Sequence, residues 1–177
     1  MHEQYKIREA RFFLERMEES VEDREAFRYY LSGFLSAARS VLQYALEEIK
    51  KKGGQKWYDN IVAGNEVLSF FKDKRDVNIH DEPVNPSSHI SIAISEPISV
   101  FDALATEVYI NGKLVEKNKP KGDLPPPKPT ESRSEATVRY RFDDWSGPED
   151  VIALSRRYIE ELERFVKEGI EQGYLSG

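Results

Sequence analysis

Phe27-Arg28-Tyr29-Tyr30-Leu31-Ser32-Gly33-Phe34-Leu35-Ser36-Ala37-Ala38-Arg39-Ser40-Val41-Leu42 is the stretch on which the fold turns. Phe27, Leu31, Phe34, Ala38 and Val41 recur at alternating steps of four and three, the repeat of one helix face. Ala45 and Ile49 prolong that seam, with Tyr30, Leu35, Leu42 and Leu46 alongside. The apolar face is wider than one neighbouring helix would cover, and the small residues within Leu31–Ala38 let a second helix come close. Asp23 is a plausible N-cap. Lys50-Lys51-Lys52 complements the negative end of the helix dipole, and Gly53-Gly54 stops the helix. The pattern therefore predicts a helix from Arg24 to about Lys52, roughly 43 Å long at ~1.5 Å per residue.

Working outward, Ile7, Ala10, Leu14, Met17 and Val21 form an equally regular stripe, widened by Phe13, and predict a first helix before a break at Ser20–Asp23. Trp57, Ile61, Gly64, Leu68 and Phe71 line one face of a third helix expected from about Gln55 to Arg75. Pro83 and Pro86, among Asn85, Ser87 and Ser88, then change the texture of the chain. Ile90-Ser91-Ile92-Ala93-Ile94 alternates as a strand. Glu107 to Val115 predicts a hairpin about the type I′ turn Asn111-Gly112. Val138, Tyr140 and Phe142 alternate with Arg139 and Arg141 in another strand. Lys117 to Ser134, with Pro125-Pro126-Pro127-Lys128-Pro129, has the composition of a long loop. A last helix is expected to open with Pro148 in its first turn and to end near Gly173, on the seam Val151, Ser155, Tyr158, Leu162 and Phe165.

The expected fold class is mainly α: an up-and-down bundle of four long helices in a single domain, 1–177. A small antiparallel β insertion of three to four strands, at about 84–146, separates the third and fourth helices. The chain of 177 residues is long enough for a sizeable core, and 39% apolar with 33% charged residues suits a helix-rich soluble protein. No apolar run approaches the ~18 residues of a membrane span. The charged start, Met1 to Ala10, lacks a signal-peptide core. The absence of cysteine excludes disulfides, thiolate metal sites and cysteine catalysis, and fits the cytoplasm, the expected location. A net charge of -6 argues against stable binding to long nucleic acid and permits only brief, local contact.

Lys72-Asp73-Lys74-Arg75-Asp76-Val77-Asn78-Ile79-His80 carries the candidate chemistry. Arg75 offers a planar fork of donors to a phosphate, and His80 can move a proton near neutral pH, with no metal needed. The structural alternative is a salt bridge for Arg75 and a helix C-cap for His80. On an unbroken helix His80 lies about 140° around and about 7.5 Å along from Arg75. Convergence then needs a kink near Asp76–Asn78 or a second subunit. Arg139 and Arg141 share one face of their strand and could contact a phosphate backbone or simply face solvent. A metal site built on His80, Asp81, Glu82 and His89 is disfavoured, because the intervening prolines break helical ligand spacing. No metal and no cofactor is expected.

Placed at the end of the third helix beside the long second one, Arg75-Asp76-Val77-Asn78-Ile79-His80 resembles the motif of the HEPN superfamily of helical domains. The resemblance covers roughly residues 4–82 and 148–174. It implies a helical bundle that pairs as a homodimer and brings two motifs together, and metal-independent RNA cleavage by attack of the 2′-hydroxyl on the adjacent phosphate. His80 would be the acid or base, Arg75 would stabilise the pentavalent phosphate, and Asp76, or Asn78, would orient them. Such a chain would act as a stress or defence effector, with an antitoxin or other protein as partner. The alternative is a non-catalytic HEPN-like dimer that binds a protein or nucleotide.

Overall fold

A computed structural model describes residues 2–80, 84–95, 106–110, 113–118 and 133–176. Residues 75–80, 92–95, 106–110, 115–118 and 133–136 are described by backbone alone. The described chain is mainly helical, with α1 (His2–Glu19), α2 (Arg24–Lys51), α3 (Gln55–Gly64), α4 (Glu66–His80) and α5 (Val151–Glu171). Its strands are β1 (Ser87–Ser95), β2 (Thr106–Ile110), β3 (Lys113–Asn118) and β4 (Arg133–Arg141).

The seam predicted on α2 is its buried face: Phe27, Leu31, Phe34, Ala38, Val41, Ala45 and Ile49 are all in the core. Asp23 caps the helix, its carboxylate accepting from the amides of Glu25 and Ala26 at 3.1 and 3.0 Å. At the other end Gly53 takes φ 74°. Gly53 N donates to Lys50 O and Gly54 N to Ile49 O, which satisfies two carbonyls that a helix end leaves bare. α1 lays Ile7, Ala10, Leu14 and Met17 against α2. A Cβ at Gly33 would stand 2.6 Å from the Phe13 ring, so the two helices approach as closely as a missing side chain allows.

The expected third helix is two helices. Asn65 adopts an extended backbone, and its Oδ1 accepts from Val67 N and Leu68 N at 3.1 and 3.0 Å, opening α4 afresh. The apolar stripe hid the break, because Leu68 and Phe71 resume the period on the far side of it. α5 also starts later than its proline suggests: Asp150 is the N-cap, accepting from Ala153 N, and Pro148 precedes the helix.

Two compact units are distinguished, Met1–Ile90 with Val138–Gly177 and Ser91–Thr137. In the first, α5 packs on α1, α2 and α4. Phe71 stacks on Tyr158 at 4.2 Å between centroids, and Phe34 meets both edge-on. In the same unit Tyr140 stacks on Phe27 at 4.0 Å and donates its hydroxyl to Val21 O. In the second unit β2 and β3 pair antiparallel, Ile110 opposite Lys113 and Tyr109 opposite Leu114, with an irregularity between Val108 and Tyr109. The Asn111-Gly112 turn lies outside the described residues, as does the proline-rich run 125–129. β1 pairs with β4, so the described strands form two two-stranded ladders where one sheet of three to four strands was expected.

Candidate functional site

α4 is helical from Glu66 through His80. Its first half is anchored by Val67, Leu68 and Phe71, all buried. Lys74, the residue before the candidate arginine, is held on three sides. Its ammonium pairs with Asp144 at 2.6 Å and lies 5.4 Å from the Phe70 ring centroid and 5.3 Å from that of Phe142. The aliphatic stem and charge of one lysine thereby join α4 to the chain that follows β4.

The side chains of Arg75, Asp76, Asn78 and His80 lie outside the described residues, and their expected convergence lies there with them. The backbone course is described. With the helix continuous to His80, residues 75 and 80 stand about 140° apart around its axis. Positions 76 and 80 fall one turn apart, as do 75 and 78. Asp76 therefore shares a helix face with His80, and Asn78 with Arg75.

On β4, Arg139 is exposed, while Arg141 is half-buried and donates from Nη2 to Gly147 O at 2.9 Å. Tyr140 between them points into the helical core, which sets both arginines on the opposite face. His89 is exposed on β1.

Two features fell outside the sequence expectations. One is a band of exposed aromatics on α1, with Tyr5 61% and Phe12 52% exposed. The guanidinium of Arg8 lies 5.9 Å from the Tyr5 centroid and that of Arg16 5.6 Å from the Phe12 centroid. Beside this band a groove of about 530 Å³ runs between α1 and α5, over Ile7, Val166 and Ile170. Arg11 and Glu163 bridge it at 2.7 Å. The other feature is polar and interior: Arg39 on α2, Tyr58 on α3 and Tyr158 on α5 are all buried. Burial pushes the Tyr58 hydroxyl up in pKa, and the Arg39 charge beside it pulls the other way. Tyr158 is raised by the same cause and eased by the same arginine. The signal for Arg39 was its place among Ala37, Ala38 and Val41, a charge inside an apolar run.

No family model matches the chain, and neither a curated protein nor a solved structure matches it.

Proposed function

We propose that this chain is a HEPN-like, metal-independent endoribonuclease whose site is completed by a second copy of itself. The observation that carries the reading is the unbroken course of α4 from its buried anchor at Phe71 to His80. Arg75 and His80 share that helix with about 140° between their positions, a spacing that supports a site shared by two facing copies. In this reading the helices form an up-and-down bundle, and the ends of two α4 helices line the cleft.

The reaction transfers a phosphoryl bond within the RNA strand. The 2′-oxygen bonds to phosphorus as the bond from phosphorus to the 5′-oxygen breaks, leaving a 2′,3′-cyclic phosphate and a 5′-hydroxyl. Neutral His80 of one copy takes the 2′-hydroxyl proton, and protonated His80 of the other supplies one to the leaving oxygen. Arg75 donates to the non-bridging oxygens, where negative charge builds in the transition state. Asp76, one turn before His80, holds the imidazole, with Asn78 a second candidate for orientation. Arg139 and Arg141 would lend charge to the flanking backbone. The chain would act in the cytoplasm, held in check by an antitoxin or another protein.

Purified protein incubated with RNA and excess chelator tests this. The expected result is cleavage leaving cyclic phosphate ends, reduced about 10²-fold or more in His80→Ala and Arg75→Ala. Intact RNA, or cleavage that needs a divalent metal, overturns it. A second reading, a non-catalytic dimer binding a protein or nucleotide, is favoured by the exposed Tyr5 and Phe12 beside the α1–α5 groove. It predicts a dimer that leaves RNA intact and loses its partner on Phe12→Ala.

A further inference from the structure

We propose that the open mouth of the α1–α5 groove binds an aliphatic monocarboxylate, its chain on Ile7, Val166 and Ile170 and its charge on Arg8. Two ion pairs fix how the helices lie. Arg11 meets Glu163 at 2.7 Å, and Arg156 meets Glu18 at 2.8 Å. Seven residues later on α1 is seven earlier on α5, so the helices run antiparallel, with a charged rung about every 10 Å. One step further, toward the start of α1 and the end of α5, a third rung would join positions 4 and 170. Those positions hold Gln4 and Ile170, which cannot pair as ions. The groove opens there to about 530 Å³. Ile7 and Val166 lie beneath it at 6% and 7% exposure, and Ile170 is half-buried.

The charge of the two halves of the groove differs. The mouth is lined by three cations, Arg8, Arg11 and Lys167, against two carboxylates, Glu163 and Glu171. Arg11 is engaged with Glu163, and Lys167 reaches Glu171 at 3.9 Å along its own helix. Among the described residues no carboxylate pairs with Arg8, whose guanidinium rests 5.9 Å from the Tyr5 centroid. The net positive charge of the mouth is therefore that of Arg8. Beyond the Arg11–Glu163 rung the groove continues for about 310 Å³ over Leu14 and Ile159. There Glu15, Glu18 and Glu160 outnumber Arg11 and Arg156, and an anion is repelled.

An aliphatic floor beside one uncompensated guanidinium matches a molecule with a single negative charge and an apolar tail. A carboxylate offers two oxygens to the paired donors of the guanidinium. A dianion would bring a second charge with no cation to meet it. The open floor, from the Arg11 rung to position 4, is about 10 Å long, the reach of an extended chain of about eight carbons. A partner helix laid along the groove, anchored at every turn, would meet the Arg11–Glu163 rung across its path. The site uses no residue of the ribonuclease reading, and Phe12, on which the second reading rests, does not line it.

Isothermal titration calorimetry of the full chain with sodium hexanoate, sodium octanoate and octanol tests the proposal. Octanoate should bind at one site, up to about fifteenfold more tightly than hexanoate, since each buried methylene is worth about fourfold. Octanol, which lacks the charge, should bind at least about tenfold more weakly than octanoate. Arg8→Gln, at an exposed position, should bring octanoate down to the level of octanol. Ile170→Gln should erase most of the gain from hexanoate to octanoate, and Phe12→Ala should change nothing. If Ile170→Gln does not fold, Arg8→Gln decides. No saturable binding, octanol binding as tightly as octanoate, or octanoate binding unchanged in Arg8→Gln overturns the proposal. So does loss of binding in Phe12→Ala, which would make the aromatic band, and with it a partner protein, the occupied surface.

Discussion

Asn65 ends one helix and begins the next with a single amide. Its Oδ1 takes two backbone protons of α4, while its Nδ2 donates to Glu161 on α5 at 2.8 Å. Asn65→Ala should therefore cost about 1–2 kcal/mol, the worth of a good N-cap, measured by urea unfolding. Asn65→Asp should retain most of the cap while setting a carboxylate against Glu161. Glu48 makes a second prediction. The Ser176 hydroxyl, and after it the Lys52 ammonium, hold its carboxyl below the usual carboxylate range. A carboxyl with a depressed folded pKa adds stability above its unfolded pKa and loses it as pH falls through the folded one. Ser176→Ala should leave unfolding near neutral pH slightly easier, with a smaller acid-side loss that is complete at a higher pH. Carboxyl chemical shifts followed by NMR should show Glu48 titrating higher in that variant.

At the level of helices and strands, α1 and α2 meet where Gly33 lies under Phe13. Gly33→Ala gains helix propensity of about 1 kcal/mol, but its methyl falls 2.6 Å from the ring. Forcing the ring aside costs about 1–3 kcal/mol, so the variant should be less stable than wild type. The order should reverse when Phe13 is first shortened to Ala, as a thermal-melt cycle of the four proteins would show. The same helices explain what was legible in the sequence. The α2 seam was, because seven apolar residues kept one period between a capping aspartate and a glycine pair. The antiparallel pairing of β2 and β3 was, because two strand-like runs flank a two-residue turn signal. The division at Asn65 was not, since the apolar stripe keeps its step across the cap. Arg39 was not, because pattern reasoning sends a charge to the solvent face, and only packing against α3 and α5 reveals otherwise. Of the Arg75–His80 pair, the sequence carried the position on a helix end and the spacing of about 140°, and the side chains lie outside the described residues.

For the molecule as a whole, the aromatic core of the helical unit draws its described side chains from Met1–Ile90 and Val138–Gly177. β1 and β4, neighbours in one ladder, carry the chain out of that unit and back. Replacing 91–137 by an Asn-Gly turn should therefore leave a helical, cooperatively unfolding protein, checked by far-UV circular dichroism through a urea titration. Loss of cooperativity would show that the helices depend on the excised segment. Under the ribonuclease reading, the same shortened protein retains Arg139 and Arg141 and should keep its activity.

The helix endings at Gly53 and Gly173 repeat one design, each with a left-handed glycine and a following amide turned back onto the last turn. They also touch, since a Cβ at Gly54 would stand 2.5 Å from the Tyr174 ring. Two chain reversals more than a hundred positions apart thus shield each other, and neither is complete while the other is open. Deuterium should enter the amides of Gly54, Tyr174 and Leu175 only when the whole helical unit opens, which makes this corner a reporter of its global equilibrium.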